Sequence, residues 1–195
     1  SWLMVKAGSP PPPRSHHSAS VIGTTGNMIV FGGWNGASYL NDLYVLEKVG
    51  FFSFAPNLSI KNLIVTSGTR WVSPNIRGSC PSPRGQHSSI TIGNNVVIYG
   101  GYNGETYLED VFMLDSVLAF FRLQDLSIDA FFSDSWTWHA IKTGGSSPGG
   151  RCGHTATLVG REMWVFGGKF SARGFCDFHE YFVLNLDNWN WERRT

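Results

Sequence analysis

The sequence is poor in charge, in cysteine and in long apolar segments. Charged residues make up 15% of its 195 residues and the net charge is +1, which removes the electrostatic basis for binding nucleic acid or an anionic membrane. The three cysteines are odd in number and far apart, so we expect free thiols in a reducing compartment. No uncharged apolar run approaches the roughly 20 residues of a membrane helix, and no secretion leader is visible. We expect a soluble intracellular protein, in the cytoplasm or the nucleus.

Glycine and aromatic residues are abundant instead. The chain contains 23 glycines and 8 tryptophans, and apolar residues make up 42% of it. Few charges combined with many glycines and aromatics are typical of an all-β protein. The length suits one compact domain or a part of a larger one.

Three segments of the chain follow one pattern. Each begins with Arg-x-x-His, passes through an apolar run that ends in Gly-Gly, continues with a run led by Asp or Glu, and ends in a tryptophan-bearing stretch. The opening elements are PRSHHS (13–18), PRGQHS (83–88) and GRCGHT (150–155). The glycine pairs are Gly32-Gly33, Gly100-Gly101 and Gly167-Gly168. Internal repetition of this kind indicates a repeat architecture.

Each unit is predicted to form four short strands. The second strands (28–31, 96–99 and 163–166) are apolar without alternation, which is typical of strands buried on both faces. One small sheet cannot bury both faces, whereas sheets stacked around an axis in a β-propeller can. Because the glycine pairs end these strands, we expect them to be structural, with unusual backbone angles and a close approach of the neighbouring sheet.

The pattern resembles the kelch repeat, in which an apolar run ends in Gly-Gly and an aromatic-containing strand and a spaced tryptophan follow. The resemblance covers nearly the whole chain and implies an all-β, partial kelch-type β-propeller with one four-stranded antiparallel blade per unit. SWLMV (1–5) matches the tryptophan strand of a unit, so we expect residues 1–9 to end a preceding blade, with blades at 10–75, 76–142 and 143–195. Propellers have about 4–8 blades, so we expect a part of a longer chain, or self-association of two copies to complete the ring.

The first two units exceed the kelch period of about 50 residues. The excess lies between the third strand and the tryptophan, near 49–68 and near 116–134. One interpretation is a pair of native amphipathic excursions that cap the propeller or bind a partner, with Leu118, Phe121, Leu126 and Phe132 on one side of a helix. The other is a gene-model artefact, in which unspliced introns are read in frame. The sequence of the transcript would separate the two interpretations.

One face of the propeller carries the candidate binding residues. In a four-stranded blade, the links between strands two and three emerge on the same face as the links between blades, and loops of this kind often bind ligands. The partner-binding candidates are Trp34, Asn35, Tyr102, Asn103, Lys169, Phe170, Arg173, Arg14, Arg84 and Arg151, because arginine and aromatic residues are favoured at hot spots. Regular recurrence favours a structural role for the three repeat arginines and for His17, His87 and His154. The loops that differ between the units are therefore the better candidates.

The recurring carboxylates and the prolines have structural interpretations. Asp42, Asp110 and Glu180 occupy one position of the repeat, which favours pairing with a repeat arginine over catalysis. Pro10 to Pro13 resemble a polyproline docking motif, but a rigid link between blades explains them better.

A metal site has little support. Cys152, His154, Cys176 and His179 are ligand types suited to zinc, but His154 is a repeat residue and the spacing matches no usual zinc module. Cys80 is expected to be a free thiol. We therefore expect no catalytic residue, no metal and no cofactor.

The resemblance implies a non-catalytic protein–protein interaction module, used as an adaptor or scaffold. The expected partner is another protein, and neither a nucleic acid nor a membrane. Kelch propellers act, for instance, as substrate receptors in ubiquitin ligases or as effectors in trafficking. The alternative is a propeller that forms part of an enzyme, since some kelch-type propellers resemble copper radical oxidases, sugar mutarotases or specifier proteins. Fold alone does not decide between these classes.

Overall fold

The computed structural model describes residues 9–23, 25–53, 64–118, 134–170, 174–175 and 179–195. Every regular element in these ranges is a β-strand, which confirms the all-β prediction. The strand expected at 1–9 lies, except for its last residue, outside the described residues.

The first sheet is an antiparallel meander with the strand order β1-β2-β3-β4. Its strands are β1 (Ser18–Val21), β2 (Met28–Trp34), β3 (Tyr39–Ser53) and β4 (Ile64–Val72). A bulge interrupts the pairing of β2 with β3 between Phe31 and Gly33. The strands β3 and β4 stay paired as far as Ser53 and Ile64. The described ends of the 49–68 segment therefore continue the sheet as an extended hairpin.

The second sheet has the order β5-β9-β8-β7-β6. Its strands are β5 (Ile76–Gly78), β6 (Ser88–Ile92), β7 (Asn95–Tyr99), β8 (Val111–Leu118) and β9 (Asp134–Ile141). The short β5 pairs in parallel with β9 at the edge of the sheet. Leu118 pairs with Asp134 at the end of β8, so the helical interpretation of Leu118 is wrong. The other residues proposed for that helix, Phe121, Leu126 and Phe132, lie outside the described residues.

The third sheet has the order β10-β17-β16-β13-β12. Its strands are β10 (Gly144–Gly145), β12 (Thr155–Val159), β13 (Glu162–Phe166), β16 (Tyr181–Asn185) and β17 (Asn190–Arg194). Beside it, a small sheet is formed by β11 (Arg151–Cys152), β14 (Lys169–Phe170) and β15 (Gly174–Phe175). The parallel strand β10 repeats the position of β5, so the same edge pairing ends both sheets.

The second strand of the middle sheet is buried from both sides, as its unbroken apolar sequence predicts. Val96 and Ile98 belong to the core shared with the first sheet, and Val97 and Tyr99 belong to the core shared with the third. All four side chains are at most 3% exposed. Burial of an apolar side chain of this size contributes roughly 1.5–3 kcal/mol, so one strand stabilises two sheet interfaces.

The glycine pair after this strand has the conformation and the contacts that were expected of it. Gly100 and Gly101 have φ angles of 65° and 105°, a region that side chains disfavour. A Cβ on Gly100 would lie 2.8 Å from the carbonyl oxygen of Arg151, and one on Gly101 would lie 2.8 Å from that of Gly85. Glycine therefore lets the next repeat approach position 100, and the link of the same repeat approach position 101, this closely.

Candidate functional site

The loops after the glycine pairs and the links between the sheets lie together at one end of the molecule. We call residues 9–17, 33–42, 79–87, 100–110 and 149–154 the loop face. Successive links are joined through their backbones: Gln86 N donates to His16 O, and Gly153 N donates to Gln86 O, both at 2.9 Å. Isolated bridges join Ser15 to Trp34 and Gly85 to Tyr102. Backbone hydrogen bonds therefore hold the loops and links of the loop face together, so that they do not form independent loops.

The first two repeat arginines hold the loop face together. Arg84 forms a bidentate ion pair with Asp110, with Nη2 2.9 Å from Oδ2, and donates to Gly100 O at 3.1 Å. Arg14 pairs with Asp42 in the same way, which confirms the structural pairing expected of these carboxylates. Bidentate, charge-assisted hydrogen bonds are strong and directional, so each arginine fixes the loop that follows its own glycine pair.

The third repeat departs from this arrangement. Glu180 forms its ion pair with Arg193, so the expectation that it pairs with a repeat arginine is wrong. Arg151 instead donates to Gly167 O at 3.0 Å and lies 4.5 Å from the centre of the Phe170 ring. A cation–π contact and carbonyl acceptors take the place of the carboxylate.

All three repeat arginines are withdrawn from the surface. The side chains of Arg14 and Arg84 are 3% and 0% exposed, and Arg151 is 1% exposed. In this conformation the three arginine side chains are therefore not accessible to a partner that would bind the loop face.

Two repeat histidines connect neighbouring sheets. His87 Nε2 lies 2.8 Å from Ser18 Oγ, and His154 Nε2 lies 2.7 Å from Ser88 Oγ. Burial, aided by the nearby repeat arginine, lowers the pKa of each imidazole to about 3. Both rings are therefore neutral at physiological pH. His17, at the same position in the first unit, is exposed, and partial burial also lowers its pKa.

Four aromatic rings form a continuous line across the loops of the first two sheets. The ring centres are separated by 4.9 Å from Trp34 to Tyr39, by 5.8 Å from Tyr39 to Tyr102, and by 5.0 Å from Tyr102 to Tyr107. All four side chains are half-buried. We call these residues the aromatic row. Trp34 and Tyr102 were singled out from the sequence, whereas Tyr39 and Tyr107 were not, although each lies five positions after its neighbour in the row.

The turns that carry the row are fixed by two candidate asparagines. Asn35 Oδ1 accepts hydrogen bonds from the backbone N–H groups of Ala37 (2.9 Å) and Ser38 (2.8 Å). Asn103 Oδ1 accepts the corresponding bonds from Glu105 and Thr106, at 2.9 and 2.7 Å. These Asx-type turns engage the amide oxygens within their own loops. The two asparagines therefore shape the surface.

Glycines of the second repeat support the ring of Tyr39. A Cβ on Gly85 would lie 3.1 Å from its Cε1, and a Cβ on Gly104 would lie 3.5 Å from its Cε2. The ring rests on two positions without side chains, so the contact between Tyr39 and Tyr102 across the two sheets is preorganised.

The third unit does not continue the row. Lys169 follows its glycine pair at the position that Trp34 and Tyr102 occupy in the first two units, and it is exposed. Phe170 is half-buried against Arg151. The candidate Arg173 lies outside the described residues.

The residues considered for zinc are engaged in other contacts where the structure describes them. Cys152 is buried with its Sγ 3.2 Å from Gln86 Oε1, and burial raises the pKa of its thiol. His154 contacts a serine of the preceding sheet, and Cys176 lies outside the described residues. No cluster of three or more histidine, cysteine or acidic side chains suited to a metal occurs in the described part of the chain. The same residues include no helix long and apolar enough to cross a membrane.

A cavity of about 310 Å³ lies between the second and third sheets. Its lining is Ile92, Gly93, Asn94, Asn95, Met113, Arg161, Leu186 and Trp189. The lining supplies no hydroxyl, thiol, imidazole or carboxylate group, which are the usual nucleophiles and general bases.

Comparison with known proteins identifies the repeat. The model of the KLHDC2/KLHL20/DRC7 Kelch-repeats domain matches residues 1–124. Host cell factor of Drosophila melanogaster is 29% identical over 97% of this chain and 12% of its own length. Host cell factor 1 of Homo sapiens is 31% identical over 86% of this chain and 8% of its own length. Rho GTPase-activating protein gacHH of Dictyostelium discoideum is 30% identical over 83% of this chain and 9% of its own length.

The chain spans 8–12% of the length of these three relatives, so their activities as whole proteins do not transfer to it. Kelch-repeat domains are generally protein–protein interaction modules. The double glycines, the middle sheet buried on both sides and the matched family model agree: the chain belongs to the kelch-repeat family, and its antiparallel sheets form a partial kelch-type β-propeller.

Proposed function

We propose that this chain is a non-catalytic interaction module that binds another protein through the loop face, as an adaptor or scaffold in the cytoplasm. The aromatic row is the observation that supports the proposal. Aromatic residues are enriched at the centres of interfaces because they bury a large area at a small cost in conformational entropy. Four half-buried rings in mutual contact form one such centre.

The repeated polar groups of this face support a binding role rather than a catalytic one. The arginines are buried in ion pairs or ring contacts, and the imidazoles of His87 and His154 are buried and neutral. A general acid or base must reach its substrate and titrate near the working pH. These groups hold the sheets together and leave the rings as the accessible feature.

Affinity capture from cell extract tests the proposal, with the chain carrying both Trp34→Ala and Tyr102→Ala compared with the wild type. Loss of two hot-spot rings is expected to reduce recovery of a bound partner at least about tenfold. Phe166→Ala is the matched control, because Phe166 is 44% exposed and lies on the third sheet, outside the aromatic row. Thermal unfolding verifies that each variant is folded. Equal recovery by the wild type and the double variant would refute the proposal.

A further inference from the structure

We infer that the aromatic row recognises a proline-rich segment in the polyproline II conformation with a basic residue beside it. The inference rests on the function proposed above and specifies the chemistry of the partner. Its basis is the geometry of the rings, the balance of hydrogen-bond donors and acceptors around them, and the charge of the adjacent loop.

The geometry of the row suits an extended ligand. Adjacent rings are tilted by 56°, 89° and 49° to one another, so the surface between them is ridged rather than flat. The ring separations place the ends of the row at most about 16 Å apart, which about five residues of polyproline II span at ~3.1 Å each. Proline rings dock between aromatic side chains in this way, and the preformed ligand loses little entropy on binding.

The row offers unengaged hydrogen-bond donors: one indole N–H, and tyrosine hydroxyls that can donate as well as accept. The indole of Trp34 and the hydroxyls of Tyr39 and Tyr107 make no hydrogen bond within the described residues, whereas the Tyr102 hydroxyl donates to Gly104 O at 2.7 Å. The nearby amide oxygens of the asparagines are already engaged in their own turns. The prolines of such a segment present backbone carbonyls and no N–H groups, so they can accept from the unengaged donors of the row.

The charge next to the row is negative. Glu105 and Glu109 are exposed on the loop that carries Tyr102 and Tyr107. The two repeat arginines on this part of the face are buried and paired with carboxylates. An arginine or lysine beside the prolines would therefore meet a complementary charge, which gives orientation and a faster association rate.

Residues 9–14 of this chain, SPPPPR, resemble such a ligand but serve less well. Pro10, Pro12 and Pro13 are exposed, yet Arg14 is held by Asp42 and cannot pair with a second molecule. The preferred occupant is therefore a separate partner whose basic residue is free.

The test titrates the whole chain with a capped peptide of six prolines and two arginines. Calorimetry measures affinity, and nitrogen-15 NMR follows the Trp34 indole. We expect the Trp34 signal to shift and the affinity to fall at least about tenfold in the Tyr39→Ala and Tyr102→Ala variants, while Phe166→Ala binds normally. A peptide with alanines in place of the prolines should bind at least about tenfold more weakly.

Two further measurements keep the test independent of folding defects. Glu105→Gln should weaken binding of the arginine peptide about threefold and leave binding of a peptide of six prolines and two glutamines unchanged, and the difference should shrink in high salt. Equal binding of the proline and alanine peptides, or no shift of the Trp34 indole at millimolar peptide, overturns the inference. If the proline peptide does not bind while capture of a partner still requires Trp34 and Tyr102, the inference is wrong and the proposed function stands.

Discussion

The fold should lose stability in mildly acidic solution because His87 and His154 are buried as neutral rings. Burial lowers the pKa of both from 6.5 to about 3. The unfolded chain therefore binds a proton at each ring near pH 6.5, while the folded chain does so only near pH 3. The unfolded state holds more protons between these two pH values. The stability that the two neutral imidazoles contribute to the fold is therefore present above pH 6.5 and is lost as the pH falls toward 3.

The size of the effect follows from the difference in pKa. One unit is worth 1.36 kcal/mol, so at pH 5.5, one unit below the unfolded value, each ring costs about 1.4 kcal/mol and the two together about 3 kcal/mol. Domains are typically stable by about 5–15 kcal/mol, so this loss is large. Urea unfolding followed by tryptophan fluorescence at pH 7.5, 6.5 and 5.5 measures it directly.

Glutamine substitutions assign the effect to these rings. His87→Gln and His154→Gln each remove one titrating group and should each halve the pH-dependent loss, although both lower the stability at pH 7.5. The exposed His139, changed to Gln, is the matched control and should leave the loss unchanged. If the double variant loses as much stability between pH 7.5 and 5.5 as the wild type, the buried imidazoles are not the cause.

Other changes test how the sheets are held. Gly100→Ala should lower the free energy of unfolding by about 2 kcal/mol or more, because the φ angle of Gly100 is positive and an added Cβ would meet the Arg151 carbonyl. The control is Gly160→Ala, where φ is also positive but the added Cβ has open space, and it should cost only about 1–2 kcal/mol. Arg84→Met should cost about 1–3 kcal/mol by removing the hydrogen bonds of the buried guanidinium to Asp110 and to Gly100 O, since the Asp110 side chain is 41% exposed and stays solvated; chemical denaturation would measure it. Replacing residues 54–63 by Asn-Gly should change stability by less than about 1 kcal/mol, since β3 and β4 already pair up to this point; a loss of the circular dichroism spectrum would contradict it.

The fold could be predicted from the sequence where a residue pattern is compatible with only one kind of local structure. The unbroken apolar sequence of β7 predicts burial on both faces, and its side chains do alternate between two cores. The glycine pairs predict positive φ angles, which all six glycines have, and a close neighbour, which a Cβ would meet at five of them but not at Gly167. These signals are local and recur in each unit, so chance agreement is small.

Pairings between distant segments were not predictable. The short parallel strands β5 and β10 carry no strand pattern of their own, and they exist because β9 and β17 have a free edge. Glu180 occupies the position of Asp42 and Asp110, yet it pairs with Arg193, which lies on the neighbouring strand opposite Phe182. In both cases sheet register, rather than residue type, decides the partner.

The same limit explains why half of the aromatic row was missed. Trp34 and Tyr102 stand out because they follow the glycine pairs, where the three units differ. Tyr39 lies near the start of a strand, and only the packing of the first sheet on the second brings it between them. The row therefore depends on the interface between sheets, which the recurring glycines, arginines and histidines maintain. Residues that recur build the support. Under the proposed function, residues that vary supply the partner contacts, and a substitution of Gly85, which lies beneath Tyr39, would alter binding without touching the partner.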